Sequence, residues 1–149
     1  MQALDILKNE HRMIDDLLAA IQKMPDPSTR RELILQVGIV LGDHRELEER
    51  ALYPVCSRYA NLRALVERSL ESHELIADLI VQLREKPSLD ALDQLFDQLV
   101  VLVERHIDDE QTELLPLAAE TLDDRTMNEL ATRFEQAVAA KNTAKKQAA

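Results

Sequence analysis

The chain has no tryptophan, only two phenylalanines and two tyrosines, two glycines and one cysteine among its 149 residues. So few aromatic residues and glycines starve β-strands and the tight turns that join them. The single cysteine, Cys56, excludes an intrachain disulfide and any CxxC redox pair, and reads as a small buried or half-buried thiol. Positive charge is scarce as well: 18 Lys and Arg stand against 28 Asp and Glu, and a net charge of −10 offers a phosphate backbone no basic surface. The lysines that do cluster, Lys141, Lys145 and Lys146, lie at the extreme end and read as a solvated tail. No run nears the roughly 20 apolar residues that cross a bilayer, and residues 1–5 lack a basic flank before an apolar signal core. These absences lead us to expect a cytoplasmic protein that binds neither nucleic acid nor membrane.

What the sequence does have is Leu, Ala, Glu, Gln and Arg, the residues of helices, in a length suited to one domain with its own core. Laid against itself the chain shows a repeat. At an offset of 62 residues, and without a gap, His11 meets His73, His44 meets His106, Glu48 meets Glu110 and Pro54 meets Pro116. Ile14 and Ile76, Pro25 and Pro87, Leu33 and Leu95, and Leu52 and Leu114 keep the same register. A period this long suits two similar helical hairpins packed together.

Apolar residues three and four apart predict the helices. Leu4, Leu7, His11, Ile14, Leu18 and Ile21 form one stripe over residues 2–23, Pro25-Asp26-Pro27 breaks it, and Ser28 is the expected cap of the next helix. The second stripe is Leu33, Val37, Leu41, His44, Glu48 and Leu52, and its copy is Leu95, Leu99, Val103, His106, Glu110 and Leu114. Pro87-Ser88 parts the third and fourth helices, and residues 54–61 join the halves. Met127, Leu130, Phe134 and Val138 suggest a fifth, shorter helix that packs on the bundle or on a protein partner, and residues 141–149 are expected to fray. The expected fold is all-α. Residues 1–120 make an up-down-up-down four-helix bundle of two similar hairpins, and residues 121–149 a short C-terminal helix and frayed tail.

Residues four apart on a helix lie one above the other, so His44 with Glu48 and His106 with Glu110 each project an imidazole and a carboxylate from the buried face. Two carboxylates in one interior repel each other and are costly to desolvate, and no Lys or Arg of the stripes compensates them. A pair of cations does, bridged by the carboxylates and completed by imidazoles. Nitrogen and oxygen donors together suit iron, and accept zinc or manganese as well. One HxxxE alone is more often an ordinary core histidine. Here the four histidines are the only ones in the chain and all four fall in the repeat. The candidate metal ligands are therefore His11, His44, Glu48, His73, His106 and Glu110. Glu46 and Glu49 read as facing solvent or an adjacent helix, and Asp109 and Glu113 as neighbours that bind no metal. Asp16 and Asp78 read as solvated charges. Asp15 is better aimed but its repeat partner is Ala77, and Tyr53 reads as packing against a helix end.

Glu10-His11, His44-Arg45-Glu46-Leu47-Glu48-Glu49 leading to Leu52-Tyr53-Pro54, His73, and His106-Ile107-Asp108-Asp109-Glu110 leading to Leu114-Leu115-Pro116 resemble the hemerythrin-like, or HHE cation-binding, family over about residues 5–120. The resemblance implies an oxo-bridged centre of two irons, two histidines toward each, Glu48 and Glu110 bridging, and open positions for dioxygen, nitric oxide or peroxide. Oxygen-carrying members have a fifth histidine, whereas this chain has four, with Ser69 and Ala77 around His73. The four-histidine, two-glutamate set is closer to members linked to iron–sulfur repair, whose additional cysteine segment has no counterpart in these residues. The expected function is thus a non-haem di-iron protein that binds or reacts with a small ligand. The alternatives are an iron- or oxygen-responsive sensor without turnover, and a purely structural interaction module. Whether the protein is an enzyme stays open at this point.

Overall fold

The computed structural model describes the backbone of residues 2–148 and side chains as far as residue 144. Every regular element among them is helical. Helix α1, Ala3–Lys23, is followed by α2, Pro27–Leu47. The cap of α2 is Asp26 rather than Ser28: its carboxylate accepts from the Thr29 N–H at 2.9 Å and from the Thr29 hydroxyl at 2.6 Å. Pro27 then occupies the first turn, where its missing N–H leaves no bond unmade.

The long helices do not stop at Leu52 and Leu114. α2 passes directly into a π-helical turn, Glu48–Leu52, and then into α3, Tyr53–Cys56. The second half repeats this, with α5, Leu89–Asp109, a π-helical turn, Glu110–Leu114, and α6, Leu115–Thr121. The prolines explain it. Pro54 has no N–H, and in a regular α-helix its ring would strike the carbonyl of Arg50; a widened turn relieves both, with the Tyr53 N–H bonded five residues back to Glu48 O. Pro116 does the same, with Leu115 bonded to Glu110 O. The connection between the halves is accordingly residues 57–59, shorter than the sequence suggested, and α4, Ala60–Arg84, follows it.

The four long helices form the bundle, and one plane divides its core. On α1, Leu4 and Leu7 belong to one apolar cluster and Ile14, Leu18 and Ile21 to another, with His11 between them. The order is the same on α4, where His73 separates Leu62 and Val66 from Ile76, Leu79 and Leu83. On α2 and α5 it is reversed, as antiparallel neighbours require. A layer of polar side chains therefore crosses the bundle between two apolar cores.

α7, Asp124–Ala148, is as long as the bundle helices, with 25 residues. Its stripe is short, but the Ala- and Lys-rich stretch beyond Val138 has strong helix propensity and carries the helix on without an apolar face. Leu130 and Phe134 are fully buried in the first cluster. Lys141, expected in a solvated tail, donates to the carbonyl of Asp43 at 2.6 Å and stands 3.9 Å from the Asp43 carboxylate. The side chains of Lys145 and Lys146 lie outside the described residues. No helix among the described residues is long and apolar enough to cross a membrane.

α2 approaches α4 closely at Gly38, where a Cβ would stand 3.2 Å from Ile80 Cγ2; at Gly42 it would meet nothing within 4 Å. Gly42→Ala should therefore stabilise the metal-free protein by about 0.5–1 kcal/mol through helix propensity. Gly38→Ala should gain less or lose about 1 kcal/mol, because Ile80 has to shift. Urea midpoints of the two variants check this, and equal gains at both positions would contradict the close approach.

Candidate metal centre

All six expected residues meet in the polar layer, each 5 % exposed or less. His11 comes from α1, His44 from the last turn of α2, His73 from the middle of α4 and His106 from the last turn of α5. Glu48 and Glu110 open the two π turns. Glu48 Oε1 lies 3.0 Å from His44 Nε2, 3.1 Å from His73 Nε2 and 3.3 Å from His106 Nε2. Glu110 Oε1 lies 2.5 Å from His106 Nε2 and 3.7 Å from His11 Nε2, and Glu48 Oε2 is 3.8 Å from His11 Nε2.

These atoms fall into two overlapping groups, His11, His44, Glu48 and Glu110 on one side and His73, His106, Glu48 and Glu110 on the other, with the atoms of each group within 4.8 Å of one another. Each hairpin thus gives two imidazoles to one group, and both carboxylates belong to both groups. His11 Nε2, His44 Nε2, Glu48 Oε2 and Glu110 Oε1 are buried without a hydrogen bond despite this proximity. Buried polar atoms left this way are costly, and a cation among them satisfies several at once. The donor set fits a metal pair.

Behind the imidazoles stands a second ring of groups that the sequence did not reveal. His11 Nδ1 is 3.0 Å from Gln111 Oε1, His44 Nδ1 is 2.9 Å from Glu10 Oε2, and His73 Nδ1 is 3.0 Å from Glu49 Oε2. An acceptor there fixes the tautomer and turns Nε2 inward, toward the carboxylates. Glu49 therefore faces α4, one of its two expected directions, and does more than face it. Tyr53 was read as packing, but its hydroxyl is 3.3 Å from Glu48 Oε1, from Glu110 Oε2 and from His73 Nε2. The π turn places it there, since it follows Glu48 by five residues. Asp15, Asp16 and Asp78 are exposed. Glu113 pairs with Arg68 and Glu46 with Arg50, both at the surface.

The electrostatics follow from burial and pairing. Burial alone would lower the histidines, but the close carboxylates of Glu110 and Glu48 outweigh it and push His11 and His106 up to about 10. His44 rises to about 9 against the same burial, through the charge of Glu48 close to its Nε2 and the hydrogen bond of its Nδ1 to Glu10. Desolvation opposes ionisation of Glu48 too, yet the surrounding histidines, His44 foremost, hold it well below the usual carboxylate range. Burial and the two carboxylates raise the Tyr53 phenol, which stays protonated. Cys56 is fully buried and pushed up to about 12, first by burial and then by Glu110, which makes it an inert thiol.

Beside the polar layer lies a cavity of about 200 Å3, lined mostly by apolar residues such as Leu41, Ile76, Val103 and Ile107, with His44, His73 and His106 and also Arg45 and Arg84 on its wall. It is sized for a small molecule.

Comparison with known proteins fits this geometry. No curated protein matches the chain significantly. The crystal structure of a hemerythrin HHE cation binding domain-containing protein from Mycobacterium kansasii superposes with a TM-score of 0.76 at 22 % identity, over 94 % of this chain and 89 % of that one. At that identity the likeness speaks for the fold. The family of the hemerythrin HHE cation binding domain matches residues 2–118, the stretch that carries all six buried histidines and glutamates of the polar layer. The chain belongs to the hemerythrin HHE cation-binding family.

Proposed function

We propose that the protein holds a pair of iron ions, with His11 and His44 on one, His73 and His106 on the other, and Glu48 and Glu110 shared. At this pair it binds or reacts with dioxygen, nitric oxide or peroxide. The observation that carries the reading is the sharing: both buried carboxylates lie in both four-residue groups. Iron, when bound, supplies Lewis acidity and redox chemistry. The chain's own residues supply the rest. Gln111, Glu10 and Glu49 orient three imidazoles. The mostly apolar cavity beside the layer has room for a small molecule. The Tyr53 phenol keeps its proton on the opposite side of the layer from that cavity, 3.3 Å from both carboxylates, where it donates to them and holds their orientation.

Protein purified anaerobically with iron supplied should contain two ions per chain and, once oxidised, absorb as a di-ferric pair. A content near zero under those conditions defeats the proposal, and two ions of zinc or manganese retained in preference to iron defeats the choice of metal.

One observation favours a sensor as the second reading. α7 lies over the α1–α2 side of the centre and is tied by Lys141 to Asp43, the residue before His44. A change at His44 thus has a short path to the C-terminal helix. A partner protein retained only by the metal-loaded form would support that reading, and product formed from peroxide or nitric oxide in repeated turnovers would support the enzyme.

A further inference from the structure

The repeat that builds the centre is broken in several places, Asp15 against Ala77 and Tyr53 against Leu115 among them, and one break falls on the imidazoles' outer hydrogen bonds. Gln111 holds His11 and Glu49 holds His73, and these two pairs correspond to each other at the offset of 62. The pair Glu10 with His44 corresponds in the same way to Ser72 with His106. A serine side chain is too short to replace a glutamate. His106 Nδ1 is buried and has no hydrogen-bond partner among the described residues.

We infer that the two metal positions are unequal, the one at His73 and His106 holding its ion more weakly than the one at His11 and His44. The inference rests on the dimetal reading above. A ligating imidazole whose other ring nitrogen donates to an acceptor is fixed in orientation and is the stronger base; loss of such an acceptor costs about 10–100-fold in metal affinity. At the first position both imidazoles have one, the Glu10 carboxylate for His44 and the uncharged Gln111 amide for His11, so each position has one anionic acceptor. At the second, His106 has none, and the acceptor of His73 is shared, because Glu49 also pairs with Arg45. The shared carboxylates touch both positions and do not create the difference. The position at His73 and His106 therefore exchanges its ion first, while the other is the permanent one.

The test loads the full chain anaerobically with iron(II), counts the ions and follows their release to an excess of a chromogenic iron(II) chelator. Two ions should leave in two phases of similar amplitude, with rates about 10–100-fold apart. Ser72→Glu restores the missing acceptor and should slow the fast phase alone. Glu10→Ala removes the acceptor of His44 and should quicken the slow phase until the two merge. Circular dichroism of each variant establishes that it is folded, and Glu10→Ala carries the test if Ser72→Glu is not. Two ions leaving in a single phase, or two phases that ignore the folded variants, overturn the inference and leave the dimetal reading standing. Fewer than two ions bound overturns both.

Discussion

The metal-free protein should lose stability as the pH rises from 7 to 10, the reverse of what a cluster of bare carboxylates would do. Two buried glutamates need positive charge, and without metal they take it from protons on the imidazoles: His11 and His106 at about 10 and His44 at about 9. Each of these folded-state values lies above the ordinary 6.5. The stabilisation is therefore complete below pH 6.5 and is lost as the pH climbs through 9 and 10. Three independent histidines would give roughly 13 kcal/mol at about 1.4 kcal/mol per pH unit, but only two carboxylates serve all three imidazoles, so the contributions do not add and the effect is on the order of several kcal/mol. Metal ions compete for the same lone pairs, so binding near neutral pH releases protons, and apparent affinity increases with pH. Loaded protein should accordingly keep its denaturant midpoint over the range in which the metal-free form loses it. Midpoints at pH 7 and 10, with and without iron, decide the matter. A metal-free midpoint that is flat or rises would mean that the imidazoles do not carry the compensating charge.

The second large effect is expected from either shared carboxylate. Glu48→Ala or Glu110→Ala removes an acid that belongs to both groups, and metal content should fall from two ions to below one. His11→Ala and His73→Ala each remove one imidazole from one position, so one ion should persist. Glu46→Ala is the control, because Glu46 is 41 % exposed and pairs with Arg50 at 2.8 Å. Glu48→Gln keeps the shape while losing the charge, which separates a missing ligand from a missing volume. Metal analysis across the set is the measurement, and depletion in Glu46→Ala as deep as in Glu48→Ala would show that the second helix has been assigned the wrong face.

Much of this molecule was legible before any coordinates. His11, His44, His73 and His106 stood out because a gapless offset is a strong signal, and because HxxxE on an apolar stripe has only one direction to face. The π turns were not legible from apolar spacing, since Leu52 and Leu114 satisfy an ordinary α-helix. The hint lay in Pro54 and Pro116, six residues after each glutamate, but in the sequence Pro54 reads as the start of the link between the halves and Pro116 only as its repeat partner. Glu10, Glu49 and Gln111 were missed for a different reason. Their side chains reach across to other helices, and spacing along one helix carries no information about such contacts. A fainter signal was available for two of them, because Glu49 and Gln111 correspond in the repeat and both offer a side-chain oxygen. The compensating charge was missed because, at their ordinary pKa, histidines count as neutral. Only the closeness of His11, His44 and His106 to Glu48 and Glu110 raises their pKa values above the ordinary range.

The connection of residues 57–59 between α3 and α4 has a consequence for affinity. Neither hairpin alone supplies either four-residue group, since each contributes one of the two carboxylates that both groups contain. As separate molecules, two hairpins would have to meet before either group existed, and metal binding would depend steeply on protein concentration. Joined by so short a tether, each hairpin meets the other at an effective concentration on the order of millimolar or above. Assembly of the site becomes independent of dilution, and an arriving ion finds its ligands already gathered.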